Sequence, residues 1–230
     1  MNTLIKAYYR YGCVDRLIKG IREVSKEIRI IVVDDTPKEH RRDIEGDNVE
    51  HVILPTDAGW FPGRAVAVAM VETEYFYWLD DDFRIEDKNI FTEFLRVIDT
   101  SGFDLIGGVT QAGMNKWLSW GKFDLDFSPD GVCFNEIQGH HGALPGFEDE
   151  GCVVRDVILN FFIARTLTAS EMRFDPGFKR TGHTVWFMDG YTKYRAALCP
   201  HIVIINDKSC MGHDDPLYKA YEGQHIRTDI

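Results

Sequence analysis

The sequence predicts an α/β fold: a mostly parallel central sheet with helices on both faces. Two observations carry this. Tyr75-Phe76-Tyr77-Trp78-Leu79 is an unbroken run of large apolar residues, without the alternation of a half-exposed strand. It reads as a strand buried on both faces, the pattern of a parallel sheet. Similar runs recur along the chain with helical repeats between them, and strand–helix–strand alternation implies right-handed crossovers between parallel strands.

Taken in order, Thr3-Leu4-Ile5-Lys6-Ala7-Tyr8-Tyr9 is the first strand. Leu17, Ile18, Ile21 and Val24 stand at helical spacing and predict a helix over 15–27 with Asp15 as its cap. Ile28-Arg29-Ile30-Ile31-Val32-Val33 is the second strand and ends in Asp34-Asp35; residues 49–54 form a short third. Gly59-Trp60-Phe61-Pro62-Gly63-Arg64 leads into an Ala- and Val-rich helix over 65–71. Its glycines either bring backbone N–H groups near an anion or let the helix pack on the sheet. After the Tyr75–Leu79 strand come a helix over 89–99 and a strand over 103–109. Residues 111–150 show weak periodicity and many glycines and aromatics, so they read as a long irregular segment, which in a compact domain tends to be functional. Trp117, Trp120, His140 and His141 there make either a platform for a sugar ring or aromatic tacks for a loop. A second buried run covers 157–163, a helix spans 183–191 with Asp189 inside it, and 202–205 is the last strand.

At 230 residues the chain fits one domain. A net charge of −11 argues against a nucleic-acid partner. No apolar run reaches transmembrane length and no signal-peptide pattern opens the chain. The expectation is a soluble chain, either cytosolic or the lumenal catalytic part of an anchored enzyme. The five cysteines include no CxxC pair, so a structural zinc site is not expected and free buried thiols are. A Cys152–Cys199 bridge needs an oxidising compartment.

Asp80-Asp81-Asp82 closes the Tyr75–Leu79 strand. Adjacent carboxylates at a buried strand end repel one another, and a divalent cation relieves this. Oxygen ligands suit magnesium or manganese, and open α/β sheets bind ligands at the carboxyl ends of their strands. The competing reading is a solvated acidic turn. With Asp34-Asp35 at a second strand end, the pattern fits a nucleotide-diphosphate site that lacks both a Walker loop and a dinucleotide fingerprint.

These residues resemble those of the GT-A glycosyltransferases. The resemblance rests on Trp78-Leu79-Asp80-Asp81-Asp82-Phe83, a DXD motif; on Gly59-Trp60-Phe61 with Gly63-Arg64; and on Asp104-Leu105-Ile106-Gly107-Gly108. Gly151-Cys152-Val153-Val154, Asn160-Phe161-Phe162, Phe174-Asp175-Pro176 and Met188-Asp189-Gly190 narrow it to the ganglioside-type β-1,4-N-acetylgalactosaminyltransferases. It implies one GT-A domain over 1–230, with a nucleotide-sugar half (1–110) and an acceptor half (111–230). It implies an inverting transfer from a UDP-sugar, with N-acetylgalactosamine as the sugar, to a hydroxyl of a glycan or glycolipid, using manganese or magnesium. Residue by residue, Asp35 would meet the uracil, Asp80 the ribose and Asp82 the metal. Arg10, Arg64 and Asp81 would stand beside the diphosphate. Cys152 and Cys199 match family cysteines and are expected within bridging distance. The chain departs from the family at Val185, where the family carries an acid suited to act as base, and at Asp207, where it carries a histidine. Asp189 is then the expected catalytic base, with His183 and the Glu148-Asp149-Glu150 cluster as the alternatives, and His213 a metal ligand. Two other functions fit the same residues: a catalytically inactive sugar- or nucleotide-binding scaffold, and a metal-dependent nucleotidyltransferase.

Overall fold

A computed structural model describes residues 1–118, 121–129, 131–179 and 182–210. The first half is a run of crossovers: β1 (Asn2–Ala7), α1 (Tyr11–Val24), β2 (Arg29–Asp34), β3 (Val49–Ile53), α2 (Trp60–Ala69), β4 (Tyr75–Asp80), the two-residue β5 (Phe83–Arg84), α3 (Ile90–Ser101) and β6 (Leu105–Ala112). The second half adds β7 (Asn115–Trp117), a separate hairpin of β8 (Gly121–Ser128) and β9 (Gly131–Gln138), then β10 (Val153–Arg155), β11 (Phe162–Arg165), α4 (Thr166–Glu171), α5 (Gly182–Asp189) and β12 (Ala196–Asn206). The main sheet runs β10-β12-β6-β11-β4-β1-β2-β3, with β5 and β7 on its margins. β4, β1, β2 and β3 are mutually parallel, as are β6 and β12. β11 lies antiparallel between β4 and β6 and joins the two groups.

β4 shows why both faces of this sheet are apolar. Tyr75, Tyr77 and Leu79 pack on one side with Leu17 of α1 and Phe94 of α3, while Phe76 and Trp78 pack on the other with Phe61 of α2 and Trp186 of α5. Alternating Cβ atoms of a strand point to opposite faces, so a strand covered on both sides needs apolar residues at every position. The expected mostly parallel α/β fold is present.

Several boundaries differ from the sequence expectation. α1 starts at Tyr11, because Tyr11, Cys13 and Val14 extend its buried stripe toward the N-terminus. Asp15 therefore lies inside the helix, paired with Arg42, and is not its cap. α2 starts at Trp60, with Pro62 in the first turn, where its missing N–H costs nothing. The segment expected to be irregular contains β7 and the β8–β9 hairpin. Phe123, Leu125 and Phe127 alternate with Lys122, Asp124 and Asp126, and cross-strand pairing joins Leu125 to Phe134 and Phe127 to Val132. The buried run at 157–163 is strand only from Phe162, and the last strand begins six residues earlier than expected, at Ala196.

The expectation of free thiols is corrected. Cys152 and Cys199 are bridged with a Cα separation of 4.2 Å, and Cys13 is bridged to Cys210 with a separation of 4.9 Å. The second pair ties the last described residues to α1 across 197 positions of sequence, which no local pattern could reveal. Only Cys133 is free, and it is exposed. Alkylation of the unreduced native protein is expected to label one thiol per chain; labelling of three or five would contradict the pairing. Among the described residues no helix is long and apolar enough to cross a membrane.

Candidate active site

The parallel strands bring their carboxyl ends to one edge of the sheet. Register places Lys6 of β1 opposite Asp80 of β4, and Ala7 opposite Asp34 of β2. The acidic ends Asp34-Asp35 and Asp80-Asp81-Asp82 therefore flank the end of β1. The turn after β1 carries Tyr9 at φ +60°, and the loop before α2 carries Asp57 at φ +53°. Left-handed backbone at non-glycine residues costs about 1 kcal/mol or more and collects at ligand sites. The Tyr9 N–H is held by the Thr36 hydroxyl at 2.9 Å.

Each carboxylate at this edge has a defined partner. Arg10, at the N-terminus of α1, forks onto both oxygens of Asp81, with Nε at 2.9 Å from Oδ2, and reaches Asp82 Oδ2 through Nη1 at 3.2 Å. Arg64 of α2 is 1 % exposed, pairs with Asp80 and donates to the Leu79 carbonyl at 3.1 Å. Its guanidinium lies against the indoles of Trp60 and Trp78, 4.9 and 4.4 Å from their ring centres, which themselves meet edge-on at 6.2 Å. Lys6 is buried; its ammonium pairs with Asp35 and donates to the Ala7 carbonyl at 2.7 Å. Gly63 makes room for it, since a Cβ there would stand 2.5 Å from Lys6 Cδ and Cε.

The local electrostatics are those of a site with surplus negative charge. Burial, helped by the neighbouring Asp82 and Asp80 carboxylates, pushes Asp81 up to about 7 against the pull of Arg10. Burial also raises Asp80, opposed chiefly by Arg64. Asp82 Oδ1 has the Asn206 amide at 3.5 Å, a long contact. A hard divalent cation held by Asp82 and by ligand phosphates suits this donor set, since such ions are commonly bound through one or two carboxylates plus phosphate oxygens. The residues present therefore fit the expected magnesium or manganese.

The site expectations meet the structure unevenly. Arg10, Arg64, Asp80, Asp81 and Asp82 are brought together. Asp35 is 1 % exposed and both its oxygens are engaged within the protein, one by Lys6 and the other by the Gly59 N–H at 2.8 Å. Asp189 ends α5, where it accepts from the Arg173 N–H at 2.9 Å and the Lys193 ammonium at 3.1 Å. None of its described contacts is with Asp80, Asp81, Asp82 or Arg64. His213 and Trp120 lie outside the described residues. Of the aromatic platform, Trp117 lines a cavity with Asn206, while His141 is held by Asp156 at 2.7 Å. Asp207 is tied to Arg16 and Arg84, and its N–H donates to the Asp82 carbonyl.

Residues missed in the sequence include Lys6, Asn160 and Glu136. A lysine within Leu4-Ile5-Lys6-Ala7 and an asparagine within Leu159-Asn160-Phe161 were both legible as polar groups in apolar runs, which need partners. Glu136 carried no such signal. Its carboxylate accepts from the Thr184 hydroxyl in the first turn of α5 at 3.2 Å, a contact between segments distant in sequence.

Asp34 is a structural group behind this edge. Burial acts to raise its pKa, but His51, Thr36 and Tyr11 hydrogen-bond the carboxylate and hold it at about 2. A folded-state pKa below the unfolded value adds stability that is present above about pH 4 and is lost as pH falls toward 2. Wild-type protein should exceed Asp34→Asn by about 2 kcal/mol at pH 6. The gap should narrow as pH falls toward 2 in denaturant titrations, and a gap independent of pH would contradict the assignment.

A mostly parallel sheet whose strand ends carry paired aspartates, flanked by the half-buried Arg10 and the buried Arg64, defines a nucleotide-sugar-type α/β domain of the GT-A class. The pattern of glycosyl transferase family 2 matches residues 3–155, and the chain belongs to that family. Human beta-1,4 N-acetylgalactosaminyltransferase 1 is 34 % identical over 203 residues, covering 86 % of this chain and 37 % of the relative. Mouse beta-1,4 N-acetylgalactosaminyltransferase 2 is 31 % identical over 228 residues, covering 97 % and 43 %. The chain thus spans less than half the length of these relatives. Among solved structures, S. aureus TarS 1-349 superposes with a TM-score of 0.62 at 14 % identity, covering 90 % of this chain and 60 % of TarS 1-349. The same protein in complex with UDP-GlcNAc gives 0.63 at 17 %, covering 90 % and 58 %. These likenesses show a shared fold.

Proposed function

We propose that this chain is the catalytic domain of an inverting glycosyltransferase that moves a sugar, N-acetylgalactosamine, from a UDP-sugar to a hydroxyl of a glycan or glycolipid. The observation that carries this reading is the Asp80-Asp81-Asp82 strand end, held between Arg10 and Arg64. Support for the donor comes from the relatives' names and from the UDP-GlcNAc complex of TarS. Residues 1–110 supply the donor half and 111–230 the acceptor half.

Asp82 would hold a manganese or magnesium ion, which when bound supplies a Lewis acid to the departing diphosphate. Arg10 and Arg64 add positive charge beside the same phosphates, and Asp80 meets the ribose. Asp35 supports the site indirectly, by fixing Lys6 and the turn at Gly59. A cavity of about 480 Å³ lined by Thr110, Ala112, Trp117, Asn206 and Lys208, whose Asn206 amide stands 3.5 Å from Asp82 Oδ1, gives the acceptor a place with an aromatic wall.

Inversion in one displacement requires a base to take the acceptor's proton as the bond to UDP breaks. Asp189 is engaged by Arg173 and Lys193 as an anchor of the segment before α5. Glu136 is the carboxylate held at the first turn of α5 by Thr184, the residue before Val185, and we assign it the base. Glu136→Gln should keep donor binding and lose transfer by about 10²-fold. Asp189→Asn should keep turnover within about threefold and lose about 1 kcal/mol of stability. The reverse pattern in steady-state kinetics would return the base to Asp189. Release of free UDP from UDP-N-acetylgalactosamine, dependent on added acceptor and manganese, tests the function itself. A scaffold protein would release none, and a nucleotidyltransferase would form diphosphate from a sugar phosphate.

A further inference from the structure

The site contains buried polar atoms that the protein leaves without partners. Arg64 uses Nη2 on Asp80 and Leu79, but its Nε and Nη1 are buried and unpaired. Asn160, in the segment leading into β11, is hydrogen-bonded toward Asp80, while its buried Oδ1 has no partner. Trp78, against which Arg64 stacks, and Trp186, 5.4 Å from Trp78, each carry a buried unpaired indole N–H. Leaving a buried donor or acceptor unmade costs about 1–3 kcal/mol, and native structures hold few of them. A linked group around one guanidinium therefore points to a ligand.

The unpaired set is one carbonyl acceptor, Asn160 Oδ1, and several N–H donors. A secondary amide is its complement, with one N–H to give and one carbonyl to accept. Plain sugar hydroxyls can also pair here, but only an acetamido group adds a methyl, for which the neighbouring indoles give an apolar wall. Trp60 is half-buried, and its ring centre stands 4.9 Å from the Arg64 guanidinium, so the group approaches Arg64 past the Trp60 indole.

We infer that Asn160 and Arg64 read the 2-acetamido group of the donor sugar, with the acetamido N–H donating to Asn160 Oδ1 and an Arg64 N–H donating to the acetamido carbonyl. This rests on the UDP-sugar reading above, and it makes Asn160 the residue that separates acetamido sugars from plain hexoses.

The test is calorimetry in manganese with UDP, UDP-N-acetylgalactosamine, UDP-N-acetylglucosamine and UDP-galactose. Wild-type protein should bind both acetamido donors about 100-fold more tightly than UDP-galactose, because the plain hexose leaves the buried groups unpaired. Asn160→Ala should reduce that preference to about threefold, with any loss of affinity through its Asp80 contact shared by UDP and all three donors. Asn160→Leu, of similar shape but unable to accept, gives the same readout if the alanine variant fails to fold. Equal binding of all three donors by wild type, or a full preference retained in a folded Asn160 variant, would overturn the inference while leaving the UDP-sugar reading intact. Failure of wild type to bind UDP at all would overturn that reading, and the inference with it.

Discussion

Asp82→Ala should abolish manganese-dependent UDP binding and lower sugar transfer by about 10³-fold, the scale of losing a principal electrostatic contact to a departing group. Its fold should survive. Asp82 sits in a cluster where burial first, and like charges after it, raise Asp81 and Asp80. Removing one carboxylate relieves that repulsion, while Arg10 keeps both of its bonds to Asp81. Stability should therefore stay within about 1 kcal/mol of wild type. Calorimetry with UDP at fixed manganese, together with a urea transition of the same sample, separates the two effects. Unchanged metal-dependent binding would remove Asp82 from the metal site. Lost binding with lost stability would make it a structural residue.

Lys6→Met should act in the opposite way, on the fold first. The Lys6–Asp35 pair is nearly inaccessible, with side chains 4 % and 2 % exposed. Burial lowers the Lys6 pKa and Asp35 opposes that shift. Removing the ammonium leaves Asp35 with only the Gly59 N–H against its charge, and an uncompensated buried charge costs about 3–5 kcal/mol. The donor site should weaken as well, because Asp35 fixes the Gly59 turn at the start of α2, the helix that carries Arg64. The paired replacement Lys6→Met with Asp35→Leu removes both charges and should recover much of the stability, although the Gly59 N–H then lacks its acceptor. Urea unfolding midpoints of the two variants decide this. A single variant within 1 kcal/mol of wild type would show that the pair is dispensable.

What the sequence revealed and what it concealed follow from the range of the interactions involved. Strands buried on both faces announce themselves, since every position must be apolar, and Tyr75 to Leu79 with the acids after it located both the centre of the sheet and the site. Asp80, Asp81 and Asp82 are contiguous, so their crowding was legible without any fold. The ends of α1 and α2 were misjudged because Asp15 and the Gly59–Gly63 stretch look like helix starts, while burial of Tyr11 and Phe61 decides where the helices begin. Alternation in Phe123, Leu125 and Phe127 did signal the β8–β9 hairpin, but glycines and aromatics around it obscured the period. Pairings between distant segments left no local trace: Cys13 with Cys210, Lys6 with Asp35, and Glu136 with Thr184. Asp189 illustrates the same limit. It was the expected base, and its bonds from the Arg173 N–H and the Lys193 ammonium depend on how the chain folds around α5.

A crystal structure of the protein with UDP and manganese tests the central claim most directly. The account predicts the metal on an oxygen of Asp82 and on the diphosphate, with Arg10 and Arg64 beside the phosphates and the ribose at Asp80. UDP bound away from the carboxyl end of β4, or no UDP at saturating concentration, would contradict it.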